Sequence, residues 1–230
     1  MVGIADGTLF PLAFEPETDD APDYKGRKHI YTLTVMIICD YDRKIRQYHS
    51  GYPGSAHDNR VYRNMDLFHH PEDYFSEMEF NIGDSAFSNS PFMVSSFKKQ
   101  SGEEIPEEHD RFNKLLSKVR MRSEHTIGIL KGRFPWLRSI RMKITTKKKS
   151  LRKILRLLDA TIVLHNMLIA FGENMTVEAW IHEDDRASDI DAEDRAEDQS
   201  ELMKAVPEWM PSDARRSQLL RHFHDYLWHD

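Results

Sequence analysis

The stretch Tyr31-Thr-Leu-Thr-Val-Met-Ile-Ile-Cys39 is nine residues without a charge, rich in β-branched side chains. A strand with one wet face alternates polar and apolar residues. An unbroken run like this one predicts a strand covered on both faces, at the centre of a layered sheet. It is too short to cross a membrane, as is Ala160–Phe171, since a spanning helix needs about 20 apolar residues. Asp40-Tyr-Asp-Arg43 reads as a turn, and Lys44–Ser50 as the returning strand of a hairpin. Two shorter apolar runs end at acids. Val2–Ile4 is expected to stop at Ala5-Asp6-Gly7-Thr8, and Glu79–Ile82 at Gly83-Asp84. Pro91 to Pro106 reads as a loop, with a brief helical piece at Phe92–Phe97. Phe112, Leu115, Leu116, Val119, Ile127 and Leu130 recur at helical spacing and predict a helix from Glu107 to about Gly132. A second helix is expected from Lys149 to Phe171. Strands followed by helices, with acids at strand ends, describe an α/β domain whose site lies along those ends.

Charge sharpens the reading. The 230 residues carry a formal net charge of −6, which taken alone argues against a nucleic-acid partner. The average hides the layout. Between Arg111 and Arg156 stand sixteen basic residues and one acid, Glu124, a net of +15. Between Glu173 and Asp213 stand fourteen acids and three basic residues, a net of −11. Ordinary surface helices interleave both signs, so this asymmetry points to a polyanion-binding surface beside an acidic tail. The single cysteine, Cys39, excludes an intramolecular disulfide and fits a reducing compartment. No secretory signal pattern opens the sequence, because Asp6 interrupts the first apolar stretch.

Among residues that could carry chemistry, Asp6 and Asp84 occupy matching contexts, each after an apolar strand and beside glycine. Neighbouring carboxylates repel unless a cation neutralises them, and hard oxygen ligands suit Mg²⁺ or Mn²⁺. Glu124 shares a helical face with Arg120 and Lys131, so it could bind metal while the cations hold phosphate oxygens. Simpler roles exist for each: aspartate is common in turns, Asp58 stands where a helix cap would, and Glu124 can pair with Arg120. Twelve histidines give no zinc-ligand spacing, and His165, within Ile162-Val-Leu-His-Asn-Met-Leu168, reads as a hydrogen-bonded core residue. The sequence contains no Gly-x-Ser-x-Gly, no Gly-x-x-x-x-Gly-Lys and no Gly-x-Gly-x-x-Gly. Metal-dependent phosphoester chemistry, or none, is left.

Read in order, Gly3-Ile-Ala-Asp-Gly-Thr8, Gly51-Tyr-Pro-Gly-Ser-Ala-His-Asp-Asn-Arg-Val61, Ile82-Gly-Asp-Ser-Ala-Phe87, Arg120-Met-Arg-Ser-Glu-His-Thr-Ile-Gly-Ile-Leu-Lys-Gly-Arg-Phe134 and Ala160-Thr-Ile-Val-Leu-His-Asn-Met167 resemble the Harbinger-type (PIF/Harbinger) DDE transposases. The resemblance covers roughly residues 1–170 and the Arg216–Leu220 region. It implies a ribonuclease H-like mixed sheet flanked by helices, with acids supplied by the first strand, the fourth strand and a late helix. The implied catalytic triad is Asp6, Asp84 and Glu124. Asp58 would join them as a metal ligand for Mg²⁺ or Mn²⁺, and Arg120, Lys131 and Arg133 would contact DNA. One departure is local: Leu116-Ser117 stands where the family has a His-Ser pair. Family members also carry an N-terminal helix-turn-helix region, so the chain is expected to be the catalytic part of a longer protein.

The expected organisation is an endonuclease domain over residues 1–171, an acidic, partly disordered tail over 172–211 and an amphipathic helix over 212–230. The resemblance further implies DNA as substrate, a Myb-like DNA-binding partner, a possible homo-oligomer, no membrane and a nuclear location, for which Lys147-Lys-Lys149 with Arg152-Lys153 could serve import. The competing reading is a catalytically inactive transposase relic that only binds DNA or another protein. It predicts salt-sensitive binding without cleavage.

Overall fold

The computed structural model describes residues 2–26, 29–76, 79–98, 105–146 and 149–172. The acidic segment 173–213, the terminal helix expected at 212–230, and Lys147 and Lys148 lie outside the described residues.

Five strands form one mixed sheet: β1 (Val2–Pro11), β2 (Thr32–Cys39), β3 (Ile45–Pro53), β4 (Phe80–Gly83) and β5 (Met93–Ser95), in the order β3-β2-β1-β4-β5. The first three run antiparallel as a meander, whereas β4 pairs parallel to β1 and β5 parallel to β4. Two short helices, α1 (Asp58–Arg63) and α2 (Asp66–His69), link β3 to β4. Two long ones follow, α3 (Glu107–Arg133) and α4 (Ser150–Ala170). This is an α/β fold, a mixed sheet flanked by helices, as the resemblance leads one to expect.

Every residue of β2 is buried, because both faces of the sheet are covered. On one face Phe10, Leu33, Val35 and Ile37 pack with Leu130 of α3 and Leu151, Ile154, Leu158 and Ile162 of α4. On the other, Ala5, Met36 and Ile38 pack with Val61 and Tyr62 of α1. Alternation along β1 therefore points Asp6, Thr8 and Phe10 toward α3, and Ala5 and Gly7 toward α1. Small buried residues on α3, namely Ser123, Thr126 and Gly132, let the helix settle against the sheet.

Three local expectations are corrected. The first strand does not stop at Asp6: β1 runs on to Pro11, its far half paired in register with β2 from Gly7↔Met36 to Pro11↔Thr32. Residues around Phe92–Phe97 form β5 rather than a helical turn, because pairing with β4 (Ile82↔Val94) outweighs local preference. Asp58 is not a cap. His57 holds the cap position, no side-chain hydrogen bond closes the helix end, and Asp58 is the first helical residue. No helix among the described residues is long and apolar enough to cross a membrane.

Candidate active site

Strand register builds the site. Ile4 pairs with Ile82 across the parallel β1–β4 ladder, two residues before Asp6 on one chain stretch and two before Asp84 on the other. Asp6 projects from the middle of β1, whereas Asp84 stands just past the end of β4, where its Oδ1 accepts a hydrogen bond from the Ala86 amide at 2.8 Å.

Helix α3 brings the other components over Asp6. Ser123 Oγ lies 3.2 Å from Asp6 Oδ2 and 2.7 Å from the Arg120 carbonyl, so its one proton serves a single acceptor at a time. Burial, with the negative charges of Glu124 and Asp58, raises the Asp6 carboxyl to about 6, although Arg120 and the Ser123 hydroxyl pull in the opposite direction. Asp6 is thus a carboxylate destabilised above all by burial, which the Arg120 charge and the Ser123 hydrogen bond only partly offset, with two further acids close by. Glu124 itself is exposed.

Asp58 approaches from the other layer. Its carboxylate sits against the Cα of Gly7, and a Cβ built at Gly7 would fall 2.0 Å from Asp58 Oδ1. Only glycine leaves room there. A glycine that reads in sequence as a strand-ending turn is instead the opening through which Asp58 reaches the backbone beside Asp6. Ser123 escaped the sequence reading; its one trace is a small polar residue at a buried helical position, beside Glu124.

The cations are placed less uniformly. Arg120 is half-buried, acts on Asp6 by its charge, and has a buried Nε without a hydrogen-bond partner. Lys131 Nζ lies 5.5 Å from the centre of the Phe10 ring. Arg133 turns inward, with a buried Nη1 and a charge felt by His165. Elsewhere on the basic segment, Arg122 donates to the Tyr41 hydroxyl at 2.9 Å while stacked on its ring, and Lys143 pairs with Glu17 at 2.8 Å. Much of the +15 therefore serves contacts inside the fold.

An oxygen-only donor set beside a carboxyl destabilised by its neighbours suits a hard divalent cation, which would relieve that repulsion. Glu124 and Asp58 lie close enough to act on Asp6 by their charge, and the four acids are not pre-assembled into one ligand cluster. Among the described residues, the group whose ligating atoms already lie within 4.8 Å of one another is His70, Glu72 and Asp73, all exposed on the turn after α2. That group is a surface cluster apart from the sheet edge. It brings no strand-end acid with it.

The sequence matches the DDE superfamily endonuclease family over residues 5–166, a span that begins one residue before Asp6 and includes Asp58, Asp84 and Glu124. No curated protein and no solved structure matches the chain.

Proposed function

The chain belongs to the DDE superfamily endonuclease family, and we propose that it cuts DNA by a two-metal mechanism with Asp6, Asp84 and Glu124 as catalytic acids. The family supports a metal-dependent nuclease or transposase-type function. The single observation that carries the finer reading is Asp6: a carboxyl raised to about 6, chiefly by burial and against the pull of Arg120 and Ser123, with the charges of Glu124 and Asp58 close enough to add to the rise. Asp6 is largely removed from water, and its Ser123 hydrogen bond and the nearby Arg120 charge do not offset that burial.

Divalent cations held by Asp6, Asp84, Glu124 and Asp58 would supply Lewis-acid activation of water and neutralise charge on the scissile phosphate. The protein's own contribution is geometric. β1 carries Asp6 and the parallel β4 leads the chain to Asp84, Ser123 orients Asp6, and Gly7 admits the charge of Asp58. Arg120 lies beside these acids and balances part of their charge. In the reaction water attacks phosphorus, the bond to the 3′ oxygen breaks, and a 3′-hydroxyl and a 5′-phosphate are left. The 3′-hydroxyl could then attack a second DNA. On the five ordered segments that resemble it, we assign the chain to the Harbinger type, with a nuclear site of action, a Myb-like partner and Arg120, Lys131 and Arg133 near the DNA as parts of the same proposal.

The test is cleavage of duplex DNA by the purified chain in Mg²⁺ or Mn²⁺. Asp84→Ala should reduce the rate by about 100-fold or more while leaving DNA binding in place. Equal cleavage by Asp84→Ala would overturn the assignment. Salt-sensitive DNA binding with no metal-dependent cleavage by the wild type would favour the relic instead.

A further inference from the structure

On the α1 side of β1, away from the basic helix, an open groove of about 1090 Å³ starts at Gly7 and Asp58 and runs outward between the loop carrying Lys25 and His29 and helix α1. Arg60 and Arg63 stand one helical turn apart on α1, and Lys25 and His29 face them across the groove. All four are exposed. Among the described residues Lys25, His29 and Arg60 have neither an ion pair nor a side-chain hydrogen bond, and Arg63 has only the ring of Phe68, 5.6 Å away. Elsewhere on the surface Arg46, Arg111, Lys114 and Lys143 each have a carboxylate within 2.8 Å, while Arg152, Lys153 and Arg156 of α4 are unpaired among the described residues but have no cations facing them across a groove.

We infer that this groove holds the phosphodiester backbone of a nucleic-acid strand that continues past the carboxylate site, on the opposite side of β1 from α3. Three observations combine. Cations from two distant stretches of sequence converge without acidic partners, which leaves their charge for an external anion. The lining is open and built largely of short side chains and backbone (Gly26, Gly54, Ser55, Ala56), so it suits an extended chain rather than an enclosed small molecule. Its inner end is Asp58, the residue that presses on Gly7 beside Asp6, so an anion in the groove leads directly to the acids. Guanidinium and ammonium groups along a groove bind phosphates without reading bases. By contrast, Arg120, Lys131 and Arg133 on α3 are half-buried and engaged with Asp6, Phe10 and the neighbourhood of His165.

The inference depends on the nuclease reading only for naming nucleic acid as the polyanion, and the test separates the two. A short fluorescein-labelled duplex is titrated with the full chain by anisotropy, in EDTA so that no metal contributes. Reversing three groove cations together (Lys25→Glu, Arg60→Glu, Arg63→Glu) should weaken binding by about 10- to 100-fold and lower the slope of log K against log salt by about 2–3. Reversing three exposed cations of α4 (Arg152→Glu, Lys153→Glu, Arg156→Glu) changes net charge equally and should have a several-fold smaller effect. Equal losses from the two triple variants would overturn the groove, as would a wild type that binds a mononucleotide as tightly as the duplex or does not bind the duplex at all. Should the groove triple fail to fold, the pair Lys25→Gln, Arg60→Gln serves in its place, with a loss of about tenfold expected and no loss overturning the inference. A groove-dependent binder that makes no metal-dependent cut would sink the nuclease reading and leave the groove standing.

Discussion

Two polar clusters lie under the long helices, and they are built on opposite rules. Where α4 meets the β2–β3 hairpin, the described polar groups are largely matched. Asn166 accepts from the Ile45 amide and donates to the Ile45 carbonyl, each at 2.8 Å. Tyr48 donates to Asp159 at 2.7 Å, and His165 Nε2 donates to the Arg43 carbonyl at 3.2 Å, Arg43 being in the left-handed region with φ 66°. Where α3 meets β1, Asp6 has a shared claim on one hydroxyl and two acids for neighbours. The first cluster fixes a hairpin; the second keeps a carboxyl out of water beside two other acids, where its charged form is disfavoured. Both lie within the span that matches the endonuclease family, so family likeness alone does not separate a structural motif from a chemical one. The gathering of acids does: Asp159 meets a hydroxyl, whereas Asp6 has two other acids beside it.

The sharpest way to break this contrast is Asp6→Asn. Asparagine keeps an acceptor for Ser123 and removes the charge. Metal-dependent cleavage should fall by about 100-fold or more, and the metal-free protein should become more stable at neutral pH. The sign follows from the raised carboxyl: between pH 3.8 and about 6 the folded state holds the proton more tightly than the unfolded chain, so stability is lost as pH rises through that window. Above it the loss is about 2–3 kcal/mol. Thermal unfolding in EDTA near neutral pH should show Asp6→Asn melting roughly 4–10 °C above the wild type, with the gain gone below about pH 4. An unchanged melting temperature would mean that the Asp6 environment is not under electrostatic strain.

The matched cluster should respond in the opposite way. Asn166→Ala leaves the amide and carbonyl of buried Ile45 without partners. Each such group costs about 1–3 kcal/mol, so a loss of about 2–4 kcal/mol is expected, read as a melting temperature roughly 5–15 °C lower. Cleavage per folded molecule should be unchanged. A large fall in cleavage at temperatures where the variant remains folded would show that the hairpin clamp and the acids are coupled.

How much of this was legible in the sequence depended on how local the signal was. The β2 run could be read because burial on both faces leaves no polar positions, and α3 and α4 because a helix buries one face at a fixed period. The aspartates stand out in the sequence by their strand-then-glycine contexts, but for Asp6 the context misled about structure. Ala5-Asp6-Gly7 resembles a turn, yet hydrogen bonds to β2 carry the strand on, and Gly7 is required by Asp58, fifty-one residues away in sequence. β5 is three residues long and owes its existence to β4, so no local pattern announces it. The charge count showed a basic segment but not the direction of each side chain. Arg122 and Arg133 turn toward Tyr41 and His165, while Lys25 and Arg60 meet only because β3 returns the chain to the same side of β1.

The smallest effect is also the most discriminating between the clusters. His165 is fully buried, and burial, with the charges of Arg133 and Arg43, lowers its imidazole to about 4 against an ordinary value of 6.5. Its Nδ1 has no hydrogen-bond partner among the described residues, so a second proton would be buried unsatisfied. Between pH 6.5 and about 4 the unfolded chain therefore binds the proton that the folded state refuses, and stability falls as pH falls, by about 1–2 kcal/mol near pH 5. Asp6 acts in the opposite direction across the overlapping window, so in the wild type the two trends partly cancel. In Asp6→Asn the histidine term should stand uncovered, and melting temperature should fall more steeply on acidification than in the wild type. Adding His165→Gln should flatten that slope. If the slope in Asp6→Asn matched the wild type, the two clusters would not be titrating as opposites, and the contrast between a satisfied clamp and a strained site would fail.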